Sequence, residues 1–230
     1  MVRAKGLVRL RAPPSSRALE AARPRHGPGQ PHPYAGMGGT DDEMSEGTVR
    51  SAALTVAAEI EQAMGLIGEE EAMRLVEAIE AARGVFCTGQ GRSGLMIKAF
   101  AMRLVHLGLN AWAVGEVTTP AIGPRDLLVA ASGSGETRTT LAIMQAAQER
   151  GAQTSAITAH PASPVARAAD LVLEIRTPIT GPAGPRASAQ PPGSLFEQAL
   201  LTVCDALVMV LMRRLGTTEE EMRARHTKLE

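Results

Sequence analysis

Two short segments gather glycine and hydroxyl side chains in a pattern that could grip an anion. One is Thr88-Gly89-Gln90-Gly91-Arg92-Ser93-Gly94, and the other is Ser132-Gly133-Ser134-Gly135-Glu136-Thr137. Each follows a short apolar run and precedes a helical pattern, which puts each at a strand-to-helix turn. Glycine lets the backbone approach an anion closely and take positive φ. Unpaired N–H groups at a helix start, backed by the helix dipole, favour negative charge. Ser132, Ser134 and Thr137 add hydroxyl donors with little bulk. A tight turn closed by an N-cap uses the same residue types, and for Thr88–Gly94 alone the two readings weigh equally. Three hydroxyls within the six residues of the second segment exceed what one cap requires. That segment therefore reads as a phosphate cradle. Gly89, Gly91 and Gly94 also match the G-x-G-x-x-G spacing of a dinucleotide fingerprint, whose ribose-binding acid has one counterpart here, Glu116.

The elements that must position these turns follow from apolar periodicity. Val49, Ala53, Val56, Ile60 and Met64 recur at helical spacing from Thr48, and a second helix spans 69–82, opening on three glutamates that suit the dipole. Short apolar runs then alternate with helices. The strands are expected at 85–87, 111–114, 126–131, 154–158 and 171–175, and the helices between them near 93–107, 136–150 and 164–169. A long helix begins at Ser194, and a short acidic one at Thr218. The strand runs do not alternate apolar with polar residues, as expected when helices cover both faces. This alternation predicts an α/β fold, a three-layer αβα sandwich on a five-stranded parallel sheet of flavodoxin-like topology. In such sheets ligands bind beyond the carboxyl ends of the strands.

Composition bounds the rest. The chain has 230 residues, 44% hydrophobic but only 2% aromatic, so its core must be built of aliphatic side chains. Lys plus Arg and Asp plus Glu are equal at 24 each, which gives no basis for a nucleic-acid or membrane partner. Cys87 and Cys204 lie in apolar runs and read as small hydrophobes. No apolar run is expected to be long enough to cross a bilayer, since 195–215 carries Glu197, Gln198, Asp205, Arg213 and Arg214. With no signal-peptide pattern, a cytoplasmic protein is expected. Residues 1–45 are rich in Pro, Gly and Arg and lack sustained periodicity. They read as a disordered leader, or as sequence upstream of a start at Met37 or Met44, ahead of a single domain at 46–230.

SxSGxT after a strand, with GxGRS one unit earlier, resembles the sugar isomerase (SIS) domain. The runs AMRLVHLG (101–108), VGEVTTPAI (114–122), GSLFE (193–197) and the terminal RHTKLE, in that order, are similar to the 6-phospho-3-hexuloisomerase family. The resemblance covers roughly 53–230. Gln90, Val117 and the Pro/Gly-rich stretch 177–192 depart from it. It implies conversion of a 3-hexulose 6-phosphate to fructose 6-phosphate in formaldehyde assimilation by the ribulose monophosphate route. It also implies a homo-oligomer, a tetramer with shared sites. The reaction needs a phosphate clamp, a base and a proton shuttle, with no metal or other cofactor. Gly91, Arg92, Ser93, Glu116, Ser132, Gly133, Ser134, Gly135 and Thr137 fall to substrate binding.

Three residues compete for the base. Glu197 matches the glutamate of the family's corresponding stretch and is preferred, although a carboxylate in a first helical turn also serves the dipole. His226 titrates near neutrality and could shuttle protons, provided the C-terminus folds over a site, on this chain or on a neighbouring subunit. Glu116 is the third. Arg103 and His106 read as structural or interfacial, and Met209 and Met212 as core filler. Two alternatives stand beside the isomerase: an isomerase of the arabinose 5-phosphate type, and a non-catalytic phosphosugar-binding module. The second would want an N-terminal recognition helix, and none is visible in the sequence.

Overall fold

In the computed structural model the described residues are 47–177 and 188–228. The leader expected at 1–45 and most of the Pro/Gly-rich stretch lie outside them. Two helices, α1 (Val49–Met64) and α2 (Glu69–Ala81), precede β1 (Gly84–Gly89), α3 (Gly91–His106) and β2 (Ala111–Ala113). Then come β3 (Asp126–Ala131), α4 (Arg138–Gln148), β4 (Gln153–Thr158), α5 (Pro164–Ala168) and β5 (Leu171–Glu174). The chain closes with α6 (Ser194–Leu215) and α7 (Glu219–Arg225).

The strands form one parallel sheet in the order β2-β1-β3-β4-β5, the flavodoxin-like arrangement expected from the alternating pattern. Side chains alternate across it. Val85, Cys87, Leu127, Val129, Ile157 and Leu173 meet α2, α3 and α6 on one face, while Phe86, Leu128, Ala130 and Ala156 meet α4 and α5 on the other. Every residue of β3 is buried, which explains why its run shows no polar alternation. Each fully buried Leu, Ile or Phe there contributes about 1.5–3 kcal/mol. The two cysteines are buried as expected, and burial pushes the Cys87 thiol up to about 12.

Local chemistry fixes the helix ends. Thr48 caps α1 by accepting from the Ser51 amide, and Ser163 caps α5 ahead of Pro164. Thr218 and Glu221 form a reciprocal capping box at α7. Three expectations change. The helix expected from Glu136 starts at Arg138, because the hydroxyl turn before it stays non-helical. The apolar stripe of α1 meets the core only towards its C-terminal end: Val49 is 87% exposed, Met64 packs on the core, and the fully buried residues are Glu59 and Ala63. Finally, α6 is long and apolar enough to cross a membrane, with a mean hydropathy of 1.8 in its best window. Of the charges noted in 195–215, Glu197, Arg213 and Arg214 lie near its ends and only Asp205 stands mid-helix. Half of the window is buried inside the protein, where α6 packs on α1, α2 and α3.

Candidate active site

The order 2-1-3-4-5 reverses direction between β1 and β3, so the turns leaving these two strands flank the topological switch point. Both glycine-rich segments lie there, side by side. Gly89 and Gly94 make the first turn tight: a Cβ on Gly94 would lie 2.7 Å from the Gly89 carbonyl oxygen. Gly91 opens α3 at φ +57. In the second turn Gly135 takes φ +63, and a Cβ there would lie 1.9 Å from Ser163 Oγ. Only glycine satisfies both demands.

The hydroxyls of the second turn do not cap α4, since Thr137 makes no side-chain bond to the helix start. Instead Thr137 Oγ1 and Ser132 Oγ lie 3.0 Å apart, sharing one proton, and Ser132 Oγ accepts from the Gly135 amide at 3.1 Å. Ser134 Oγ accepts from the Glu136 amide at 3.2 Å. A hydroxyl that accepts keeps its own proton to donate. The turn therefore offers the Ser134 proton, one proton of the Ser132–Thr137 pair and the unpaired amides of the first turn of α4. That set suits a phosphate better than a cap does.

Beside this turn opens a cleft of ≈ 380 Å³ lined by Ser93, Gly133, Ser134, Thr137, Ala159, Thr177, Ser188, Gln190, Pro191, Pro192, Gly193, Leu195, Phe196 and Glu197. Five sequence-selected residues thus share one cavity: Ser93, Gly133, Ser134, Thr137 and Glu197. Glu197 sits in the first turn of α6, which Gly193 opens at φ +86. Its side chain is 15% exposed, and Arg92 Nε forms an ion pair with Oε2. That oxygen has no hydrogen-bond partner among the described residues. A buried carboxylate oxygen without a hydrogen bond is costly to maintain; here the Arg92 ion pair offsets that cost, and the residue lines the cavity.

The remaining sequence candidates lie elsewhere. Gly91 and Arg92 stand at the rim, Arg92 reaching the cleft through Glu197. Ser132 is buried beneath the turn, and Gly135 shapes it without lining the cleft. Glu116 lies outside the cleft in an exposed pair with Lys98 at 2.6 Å. The Lys98 hydrogen bond first, and its charge second, hold the Glu116 carboxyl below the usual range, which makes it a poor base. A carboxylate so occupied is also badly placed to serve a ribose at the first turn.

His226 is not in this chain's cleft. It stacks on His106 with ring centroids 5.1 Å apart, at the far end of α3, about 20 Å from Ser93 at 1.5 Å per residue. Burial, then His226 and Arg103, hold the His106 imidazole below its ordinary value. Sequence reasoning missed Phe196, Ser188, Gln190 and the two prolines. The Phe196 ring packs under Gly133, where a Cβ would lie 2.9 Å from it. The GSLFE run held Phe196 one residue before the selected glutamate, whereas no local pattern marked Ser188 or Gln190.

A doubly wound sheet with a hydroxyl-rich anion turn facing a carboxylate across the switch point matches the SIS domain, whose family model covers residues 78–202. The chain belongs to the SIS family. It is 39% identical over 173 residues to the 3-hexulose-6-phosphate isomerase of Bacillus subtilis (strain 168), spanning 75% of this chain and 94% of that protein. It is 38% identical over 172 residues to the Mycobacterium gastri protein of the same name, spanning 75% and 86%. A solved Methanococcus jannaschii structure, from which the molecular function of 3-hexulose-6-phosphate isomerase was inferred, superposes with a TM-score of 0.69 at 30% identity. It covers 78% of this chain and 99% of that one.

Proposed function

We propose that the chain is a 3-hexulose-6-phosphate isomerase, converting its substrate to fructose 6-phosphate by moving the carbonyl from C3 to C2. The observation that carries this reading is the single cleft in which a phosphate-sized donor turn faces the Glu197 carboxylate. The relatives of that name support the substrate. The turn 132–137 holds the phosphate and leaves the sugar carbons extended towards α6. Glu197 removes the C2 proton, the electron pair moves into the C2–C3 bond, and the C3 carbonyl becomes the oxygen of a 2,3-enediol(ate). Returning the proton at C3, as the O2 proton is lost and the C2 carbonyl forms, completes the exchange. Arg92 pairs with Glu197. A bound phosphate competes for that guanidinium, and its departure frees the carboxylate for proton transfer.

His226 lies too far from this cleft to act within its own chain. It serves as the proton shuttle of a neighbouring subunit in a homo-oligomer, a tetramer. Exposed apolar side chains support such contacts: Leu95 at 61% and Met102 at 45% on α3, and Met209 at 57% on α6. We assign the chain to cytoplasmic formaldehyde assimilation through the ribulose monophosphate route, with 46–230 as the catalytic domain. An assay that couples fructose 6-phosphate formation to a dehydrogenase tests the function, with arabinose 5-phosphate and glucosamine 6-phosphate run in parallel. Turnover of 3-hexulose 6-phosphate well above the other two is expected. Preference for arabinose 5-phosphate, or binding without turnover, would overturn it. Light scattering checks the assembly, and a monomer would remove His226 from the mechanism.

A further inference from the structure

We infer that Glu59, on α1 and outside every motif of the active site, is the positioning residue that holds the non-phosphate wall of the cleft. This rests on the isomerase reading for its kinetic consequences but not for its structural one. Glu59 is a charged side chain only 8% exposed on a helix that otherwise leaves much of its surface in solvent. Burying a carboxylate is costly unless hydrogen bonds satisfy it, and here the donors come from a segment about 130 residues away. Ser188 Oγ donates to Oε2 at 2.8 Å, the Ala189 amide to Oε1 at 2.6 Å and Gln190 Nε2 to Oε2 at 2.8 Å. The Gln190 amide in turn donates to Ser188 Oγ at 3.1 Å.

Ser188 and Gln190, themselves 6% and 5% exposed, line the same cleft as the phosphate turn. The next residues lead directly to the base. Pro191 accepts from the Ser194 amide at 3.1 Å, Gly193 turns the chain at φ +86, and the Glu197 amide closes on the Gly193 carbonyl at 3.2 Å. One carboxylate therefore fixes both the wall that meets the sugar and the turn from which Glu197 projects. The phosphate turn has a separate support in Thr158 Oγ1, which donates to the Gly133 carbonyl at 3.3 Å, and in the Val165 amide, which donates to the Gly135 carbonyl at 3.0 Å. Misplacing a reacting group by about 1 Å costs on the order of 10²-fold in rate. Loss of Glu59 should therefore impair chemistry and sugar binding while sparing phosphate binding.

Glu59→Gln tests this with little change of shape. Its amide presents donors where the carboxylate accepted, so in either orientation at least one of the three donors faces another donor. The expected result is a roughly 10- to 100-fold lower kcat/KM for 3-hexulose 6-phosphate, with KM raised and kcat lowered, and unchanged competitive inhibition by inorganic phosphate. Hydrogen exchange at the Ala189 and Gln190 amides should accelerate by about tenfold or more. Ser188→Ala removes two bonds, the one to Glu59 and the one accepted from the Gln190 amide, carries the test if E59Q does not fold, and should show the same pattern more weakly. Wild-type KM, kcat and exchange in E59Q would overturn the inference. So would a fall in kcat with unchanged KM, the mark of a smaller folded fraction. If the wild-type chain itself does not turn over 3-hexulose 6-phosphate, the proposed function fails, and exchange at Ala189 and Gln190 alone decides the clamp.

Discussion

Two arginine–carboxylate pairs mark the opposite edges of the sheet, and they are built for different purposes. At the amino edge Asp126 opens β3 with its side chain only 1% exposed. Arg83 grips it at two points, Nε to Oδ1 at 2.9 Å and Nη2 to Oδ2 at 2.5 Å, and the Gly123 amide adds a third bond at 2.8 Å. At the carboxyl edge Arg92 touches Glu197 through one nitrogen, and the carboxylate oxygen it meets makes no hydrogen bond among the described residues. The first pair is a bidentate fastener with its acceptors used. The second is a resting contact with acceptor capacity to spare, on the rim of a cavity. Satisfied charge belongs to the fold, and under-satisfied charge to the chemistry.

The sharpest break in that comparison is Glu197→Gln. It keeps the size and one acceptor oxygen but removes the base, so kcat should fall by about 10²–10⁴-fold, with little change in thermal midpoint. Persistence of wild-type turnover in the coupled assay would move the base elsewhere. Arg92→Gln should act next most strongly, and mainly on KM. Losing a charge-assisted bond to phosphate is worth about 1.5–3 kcal/mol, or roughly 10- to 100-fold in affinity. Titration with inorganic phosphate measures this directly. Unchanged phosphate affinity would confine Arg92 to holding Glu197.

Much of this was legible in the sequence, for a physical reason. Helices cover the central strands on both faces, so β1 and β3 show as short runs dominated by apolar residues, while β4 buries Thr154, Ser155 and Thr158 and is legible only by its place in the alternation. Glycine and hydroxyls at 132–137 answer to local backbone geometry and local donors, which a linear pattern can carry. What escaped is long-range. Ser188 and Gln190 matter only because Glu59 meets them across some 130 residues, and no local pattern marks Glu59 between Val56 and Ile60. Sequence order does not tell which end of α3 the last helix reaches, so it left open whether His226 meets the cleft of its own chain or that of a neighbour. Arg225 settles it by donating to the His106 carbonyl at 3.1 Å.

The fastener makes the complementary predictions. Asp126→Asn should leave kcat and KM alone and lower stability by about 1–3 kcal/mol, since one buried donor set loses its charged acceptor. The thermal midpoint would then drop by roughly 3–10 °C. The smallest effect concerns pH. Burial alone would raise the Asp126 carboxyl; the Arg83 hydrogen bond, the Gly123 amide and the charges of Arg83 and Arg125 outweigh it and hold the group below the usual range. An unfolded aspartate takes its proton near about pH 3.9, before the folded one does. The stabilisation is therefore complete above that value and drains away as pH falls through it towards the folded value. Urea midpoints measured from neutrality down to about pH 3 should decline more steeply for the wild type than for D126N, with the two curves converging at the acid end. Parallel curves would mean that Asp126 titrates alike in both states, and the contrast between fastener and resting pair would then rest on geometry alone.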